Sequence, residues 1–274
     1  MSNTQRIALG VSYSGAHYEG WQSQRSGNTV QDKLEQALSQ FADVPIRIMC
    51  AGRTDAGVHA LMQVAHFDTD ISRETSSWLR GTNAFLPADI AVQWAQLVPD
   101  SFHSRASAVA RRYAYVLLES PVRPSVEAGR VGWVFRPLDG RLMAEAAEHL
   151  MGEHDFTSFR AAQCQSKSPV KTISCINISN RASNNNGKGT GTRYWRFEFQ
   201  ANAFLHHMIR NIMGCLIAVG QGKHTSNWAL EVLNARDRAA AAPTFSPDGL
   251  YFLGPVYESH HGLPAQTAAY DWLP

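Results

Sequence analysis

The stretch AGRTDAGVHA, residues 51–60, sets one carboxylate, Asp55, beside Arg53 and Thr54 and between two glycines, with His59 four residues on. Gly52 and Gly57 permit a tight turn and a close approach of backbone to a ligand. An aspartate that hydrogen-bonds its own turn is common, and that plain reading covers Asp55 and the glycines. It does not cover an apolar-flanked loop that also carries Arg53 and His59. Nothing nearby completes a metal set or a hydrolase triad. On residue chemistry alone the loop is a functional candidate whose reaction is unnamed.

Three other groups invite chemistry. HFDTD, residues 66–70, places Asp68 and Asp70 two apart at the end of an apolar run, a spacing that aspartyl phosphotransferases favour. A Mg²⁺ site there would want further carboxylates, and aspartate ahead of a helix is common without chemistry. His206 and His207 are adjacent in LHHMIR. Neighbours on a helix point about 100° apart, and helical zinc pairs are spaced i, i+4, so packing or phosphate contact fits them better than a shared ion. GKGTG, from Gly187, lacks the spacing and the strand-to-helix setting of a phosphate loop and reads as a hairpin tip. Cys50, Cys164, Cys175 and Cys215 show no CxxC spacing and read as reduced thiols of a cytoplasmic protein.

The elements that must position these residues alternate between strand and helix. RIALGVSYSG, IRIMC, QVAHFD and IAVQWAQLV read as strands in the first part of the chain. TVQDKLEQALSQFA reads as a helix capped by Thr29, with Val30, Leu34, Ala37, Leu38 and Phe41 on one apolar face. SRETSSWLRGTNAF reads as a helix capped near Ser72. Further on, VARRYAYVLL alternates as a strand with Tyr113 and Tyr115 on one face. DGRLMAEAAEHLMG is a helix with a glycine stop. KTISCINIS and RYWRFEFQA are paired strands around NRASNNNGKGTGT, whose Asn/Gly part at 184–191 is longer than a hairpin needs. FLHHMIRNIMGCLIAVGQG is a helix, SNWALEVLN a short one capped by Ser226, and GLYFLGPVY a closing strand. The mixture predicts an α+β fold, sheet-centred with helices packed on it, with a boundary near 99–106.

Hydrophobic residues make up 44% of the 274, enough to bury a substantial core, and the net charge is only +2. The distribution of charge says more. No Asp or Glu occurs from Phe156 to Phe197, while Arg160, Lys167, Lys171, Arg181, Lys188, Arg193 and Arg196 do. Arg105, Arg111, Arg112, Arg123, Arg130 and Arg136 form a second basic stretch, opposed only by Glu119 and Glu127. Uncompensated charge of this kind is what grips a phosphate backbone. The N-terminus has no signal-peptide layout, and no apolar run approaches the roughly 20 residues of a membrane span.

AGRTDAGVHA closely resembles the signature loop of the tRNA pseudouridine synthases of the TruA family. RRYAYVL at 111–117, NAFLHHMIRNIMGCLIAVGQGK at 202–223 and APTFSPDGLYFLGPVY at 242–257 fit that family in order, and YSGAHYEGWQSQ and DFTSFR agree, so the resemblance runs nearly end to end. It implies isomerisation of uridine to pseudouridine at positions 38, 39 and 40 in the anticodon arm of tRNA, in the cytoplasm, by a homodimer, with no cofactor, no metal and no membrane. By position in the motifs, Asp55 maps onto the family's essential aspartate and Arg210 onto the arginine set against it. Tyr113 maps onto the tyrosine that meets the target base, and Arg53 would lie beside the extruded nucleotide. Tyr115 reads as core. Three paths stay open for Asp55: attack on C1′, addition to uracil C6, or removal of the C2′ proton. The implied architecture is a central mixed, mainly antiparallel sheet in two similar α/β halves forming one RNA-binding cleft, with residues 1–104 carrying the Asp loop and 105–274 the Tyr strand and Arg helix. The rival readings are a phosphotransferase on Asp68 and Asp70, which predicts Mg²⁺ dependence, and a non-catalytic RNA-binding module.

Overall fold

A computed structural model describes residues 4–182 and 192–264. Its contacts divide the chain into two compact units: the residues up to Arg111 joined by the segment from Tyr251, and the residues from Arg112 to Leu250. The 184–191 insert and its GKGTG lie outside the described residues.

In the first unit β1 (Gln5–Tyr13) is followed by α1 (Val30–Ala42), β2 (Met49–Cys50), β3 (His59–Thr69), α2 (Thr75–Phe85) and β4 (Ile90–Val98). The sheet order is β4-β1-β3, antiparallel throughout, with β2 short and antiparallel on β3. The Thr29 hydroxyl caps α1 by accepting from Asp32 N at 3.2 Å and donates to the Asp32 carboxylate at 2.6 Å. Val30, Leu34, Ala37 and Leu38 of α1 are buried as the periodicity required. The IRIMC strand is shorter than its alternation predicts. Ile46 and Ile48 are buried, but their N–H groups go to Ser39 Oγ and to the carboxylate of Glu35, so only Met49 and Cys50 pair. Glu35, itself buried, also takes Arg47 as its cation. α2 starts at Thr75 after Glu74, not near Ser72, with no side-chain cap, because Ser77 N and Trp78 N bond the Glu74 carbonyl.

The second unit holds β5 (Ala108–Glu119), β6 (Gly132–Val134), α3 (Gly140–Glu148), β7 (Gly152–Asp155), β8 (Val170–Ala182), β9 (Arg193–Ala201), α4 (Met208–Gly220) and α5 (Trp228–Ala235). Its strands run β5-β9-β8-β7, with β6 parallel on β5. The β8–β9 pair is antiparallel from Ile173↔Ala201 to Ala182↔Arg193, as its two alternating segments predict. Asp139 caps α3 by accepting from Arg141 N and Leu142 N. α5 begins after Asn227 rather than at Ser226, and no side chain caps it. α4 begins four residues later than the sequence predicts, because His207 adopts a left-handed conformation (φ 62°). His206 and His207 therefore precede the helix, and the 100° separation expected of them does not apply; their rings lie 4.0 Å apart.

The closing strand β10 (Leu250–Tyr257) returns to the first unit and runs parallel to β3, Tyr251 beside His59 and Phe252 beside Ala60. Each unit is thus α+β, with mainly antiparallel strands. Among the described residues no helix is long and apolar enough to cross a membrane.

Candidate active site

In the first unit the Asp55 loop joins β2 to β3, and its shape is fixed from three sides. Gln63 is wholly buried in the middle of an apolar strand, and its side-chain amide clamps Gly52, donating to the Gly52 carbonyl at 2.5 Å and accepting from Gly52 N at 3.3 Å. The segment after β1 closes the second side. Trp21 N donates to Thr54 O at 3.0 Å, Gly57 N to Tyr18 O at 3.4 Å, and the Tyr13 and Thr54 hydroxyls meet at 2.7 Å. Gly15 and Gly20 make that approach possible. A Cβ on Gly15 would lie 2.0 Å from the Val58 carbonyl, and one on Gly20 2.7 Å from the Thr54 carbonyl. On the third side Arg111 Nη2 reaches the Ala51 carbonyl at 3.4 Å, and His59, under the loop, accepts Gly15 N at 3.1 Å and stacks on Tyr251 at 4.7 Å.

The loop turns at Gly57 (φ 79°), with Val58 N on the Asp55 carbonyl at 3.2 Å. This turn bond uses Asp55's main-chain carbonyl. Asp55 is half-buried, Thr54 is buried and Arg53 is exposed. A half-buried carboxylate on a loop braced by backbone contacts is a group held in place at the edge of solvent, as chemistry on a docked substrate requires.

In the second unit Tyr113 is 8% exposed on β5 and meets Phe204 edge-on, with ring centroids 5.2 Å apart. Tyr115, read as core, is fully buried and its hydroxyl donates to Ser246 O at 2.9 Å. Arg210 lies in the first turn of α4, half-buried, its Nε donating to the Phe245 carbonyl at 2.8 Å while its own carbonyl accepts from Phe245 N at 3.1 Å. Phe245 thus grips Arg210 by main chain and side chain at once.

The Asp68–Asp70 pair is otherwise employed. Asp68 takes a two-pronged ion pair from Arg6 at 2.6 and 2.7 Å, and this guanidinium holds its carboxyl below the usual range. Asp70 accepts from the Thr4 hydroxyl at 2.5 Å. A carboxylate locked bidentately to arginine is a poor nucleophile, so the phosphotransferase reading loses its main group. Burial raises the Cys50 thiol to about 11 and raises that of Cys215, which suits unreactive cysteines.

Sequence reasoning named Asp55, Arg53, Tyr113 and Arg210 but missed Gln63 and Phe245. Gln63 left a signal, a lone polar residue inside ALMQVAHF. Phe245 left only its place in APTFSPDGLYFLGPVY, since it holds Arg210 through its backbone.

A family model described as tRNA pseudouridine synthase matches residues 10–105 and 146–258, spans that include Asp55 and Arg210 but not Tyr113. A tRNA pseudouridine synthase A of Polaromonas naphthalenivorans is 79% identical over 98% of this chain and the whole of that protein. One of Acidovorax sp. is 68% identical at the same coverages.

Proposed function

From the premise that the chain belongs to the tRNA pseudouridine synthase family, and is an isomerase acting on tRNA uridine, we propose that it modifies positions 38, 39 and 40 of the anticodon arm through Asp55. The N1–C1′ bond of the target uridine breaks and a C5–C1′ bond forms. C5 loses its proton and N1 carries one in the product. Atoms and electrons balance within the nucleotide, so the reaction calls for no oxidant or reductant.

Asp55 is assigned the carboxylate that acts on the nucleotide. Burial under a substrate raises a carboxyl pKa and a neighbouring guanidinium lowers it, so Arg210 is assigned the cation that keeps Asp55 ionised when tRNA covers it. Tyr113 is assigned the ring that meets the uracil, where stacking is worth roughly 1–3 kcal/mol. Arg53, exposed one residue before Thr54, is assigned a phosphate of the extruded nucleotide. Flipping the base out of its stack costs a few kcal/mol, which contacts of this kind offset. A homodimer gripping one tRNA, working in the cytoplasm, completes the proposal.

The observation that carries it is the Asp55 loop itself, braced on three sides and holding a half-buried carboxylate in the segment the family model matches. The test is tritium release from tRNA labelled at uridine C5. Wild type releases tritium and Asp55→Asn, with an unchanged melting temperature, slows release at least about a thousand-fold. A variant that folds and reacts at the wild-type rate removes Asp55 from the chemistry. Mapping pseudouridine in a deletion strain, with and without the gene restored, checks the three positions.

A further inference from the structure

Residues 242–245 lie against α4 as an antiparallel strap, in register over four successive contacts. Ala242 N donates to Cys215 Sγ at 3.4 Å. Pro243 packs so close to Gly214 that a Cβ there would fall 2.4 Å from its carbonyl. The Thr244 hydroxyl donates to Asn211 Oδ1 at 2.7 Å. Phe245 N and O then hold Arg210 as described above. Whatever fixes the strap along the helix fixes the oxygen from which the Arg210 guanidinium hangs.

One charged side chain spans strap and helix. Arg238 Nη2 donates to Asn211 Oδ1 at 3.1 Å and to Thr244 Oγ1 at 3.0 Å, and its Nη1 reaches Ala241 O at 3.4 Å. Asn211 is fully buried, and its Nδ2 donates to Phe159 O at 2.8 Å. The donors run one way, from Arg238 through Thr244 to Asn211 and on to a carbonyl, so each polar atom in the chain has a partner. The guanidinium makes the first bonds charge-assisted. Its contacts are inward, to the two residues that neighbour Phe245 and Arg210 in sequence.

We propose that Arg238 is a positioning residue for the reaction, setting the strap so that the Phe245 carbonyl aims the Arg210 guanidinium. The inference rests on the assignment of Arg210 to the chemistry. A displacement of about 1 Å in a reacting group costs up to a hundred-fold in rate, so loss of the pin should appear in kcat and not in tRNA affinity.

The experiment measures kcat and KM by tritium release for Arg238→Met, Arg238→Lys and Thr244→Val, alone and in an Arg210→Lys background, with a melting curve for each. Arg238→Met should lower kcat about 10- to 100-fold with KM within about two-fold. Lysine, which keeps the charge but can reach fewer acceptors, should recover part of the loss. Thr244→Val removes only the relay hydroxyl and should give the same kcat signature in a protein that folds. In the Arg210→Lys background the loss from Arg238→Met should nearly vanish, because the residue acts through Arg210. A structural role alone would multiply the two losses. Wild-type kcat in Arg238→Met, or multiplicative losses in the double variant, overturns the inference. Wild-type activity in Arg210→Lys together with Arg210→Met overturns the assignment of Arg210 instead.

Discussion

His66 is 4% exposed, and its Nδ1 accepts Ser104 N at 3.2 Å. The Ser104 hydroxyl, 2.9 Å from the same nitrogen, donates to the Met49 carbonyl. The ring is therefore held neutral with its proton on Nε2. Burial pushes its pKa down to about 4 from the ordinary 6.5, helped by His103 and Arg6 and opposed by Asp68. As pH falls, the unfolded chain takes up this proton first. The stabilisation is complete above about 6.5, declines between 6.5 and 4, and is lost below 4, for at most about 3 kcal/mol. The lowered carboxylates Asp68 and Asp155 lose their own contributions lower still, as they protonate below their ordinary 3.8. The urea midpoint of the wild type should drop between pH 7 and pH 4.5, and His66→Asn, which keeps an acceptor near Nδ1 without a titrating ring, should flatten that drop. An equal pH dependence in the variant would place the acid sensitivity elsewhere.

The Asp55 loop is held by two glycines of the preceding segment, and this is testable at the level of the element. Gly15→Ala forces its methyl into the Val58 backbone, so strand and loop must separate at a cost of roughly 1–3 kcal/mol. The melting temperature should fall, and kcat should fall further than stability alone explains, since the loop moves with Val58. Gly27→Ala, where φ is 66° but nothing lies within 4 Å, should cost about 1 kcal/mol of backbone strain and leave kcat intact. The elements legible in the sequence were those with an unbroken period. β4 and β9 match their alternating segments residue for residue, and α1 matches its apolar face and its Thr29 cap. The ends of α2, α4 and α5 were not legible, because a backbone choice sets each: a carbonyl at Glu74, a left-handed His207, an Asn227 that caps nothing with its side chain. The site divides the same way. Asp55 and Arg210 stand out as residues in motifs. Gln63 shows as a polar break in an apolar strand, but its partner 11 positions away does not, and Arg238, whose partner lies 27 positions away, leaves no local pattern at all.

Over the whole molecule, the basic stretches separate into charges that face solvent and charges turned inward. Arg105, Arg123, Arg130, Arg136, Lys167 and Arg181 are exposed. Arg111 is spent on the Ala108 and Arg105 carbonyls, Arg160 on Cys164 O and Lys171 on Ser168 O. Each solvent-facing cation that meets a phosphate should steepen the salt dependence of tRNA binding by about 0.7–0.9 in log Kd against log salt. A plot with a slope of at least about 3 is expected, and Arg136→Ala should reduce it by about 1. A flat plot would remove these stretches from the contact surface. Replacing Arg160 should leave the slope unchanged.

β10 belongs with the loop-bearing unit, although nearly 140 residues separate it from Arg111. A nascent chain that has emerged as far as the first unit's opening strands has β2 on one part of the outer edge of β3 but still lacks the partner of His59 and Ala60, the place Tyr251 and Phe252 later occupy. Vectorial synthesis therefore delivers the Asp55 region early but its last neighbour late. A chain truncated before Tyr251 lacks the strand that pairs with His59 and Ala60, so its loop-bearing unit stays unfinished and should be cleared by proteases before it competes for RNA.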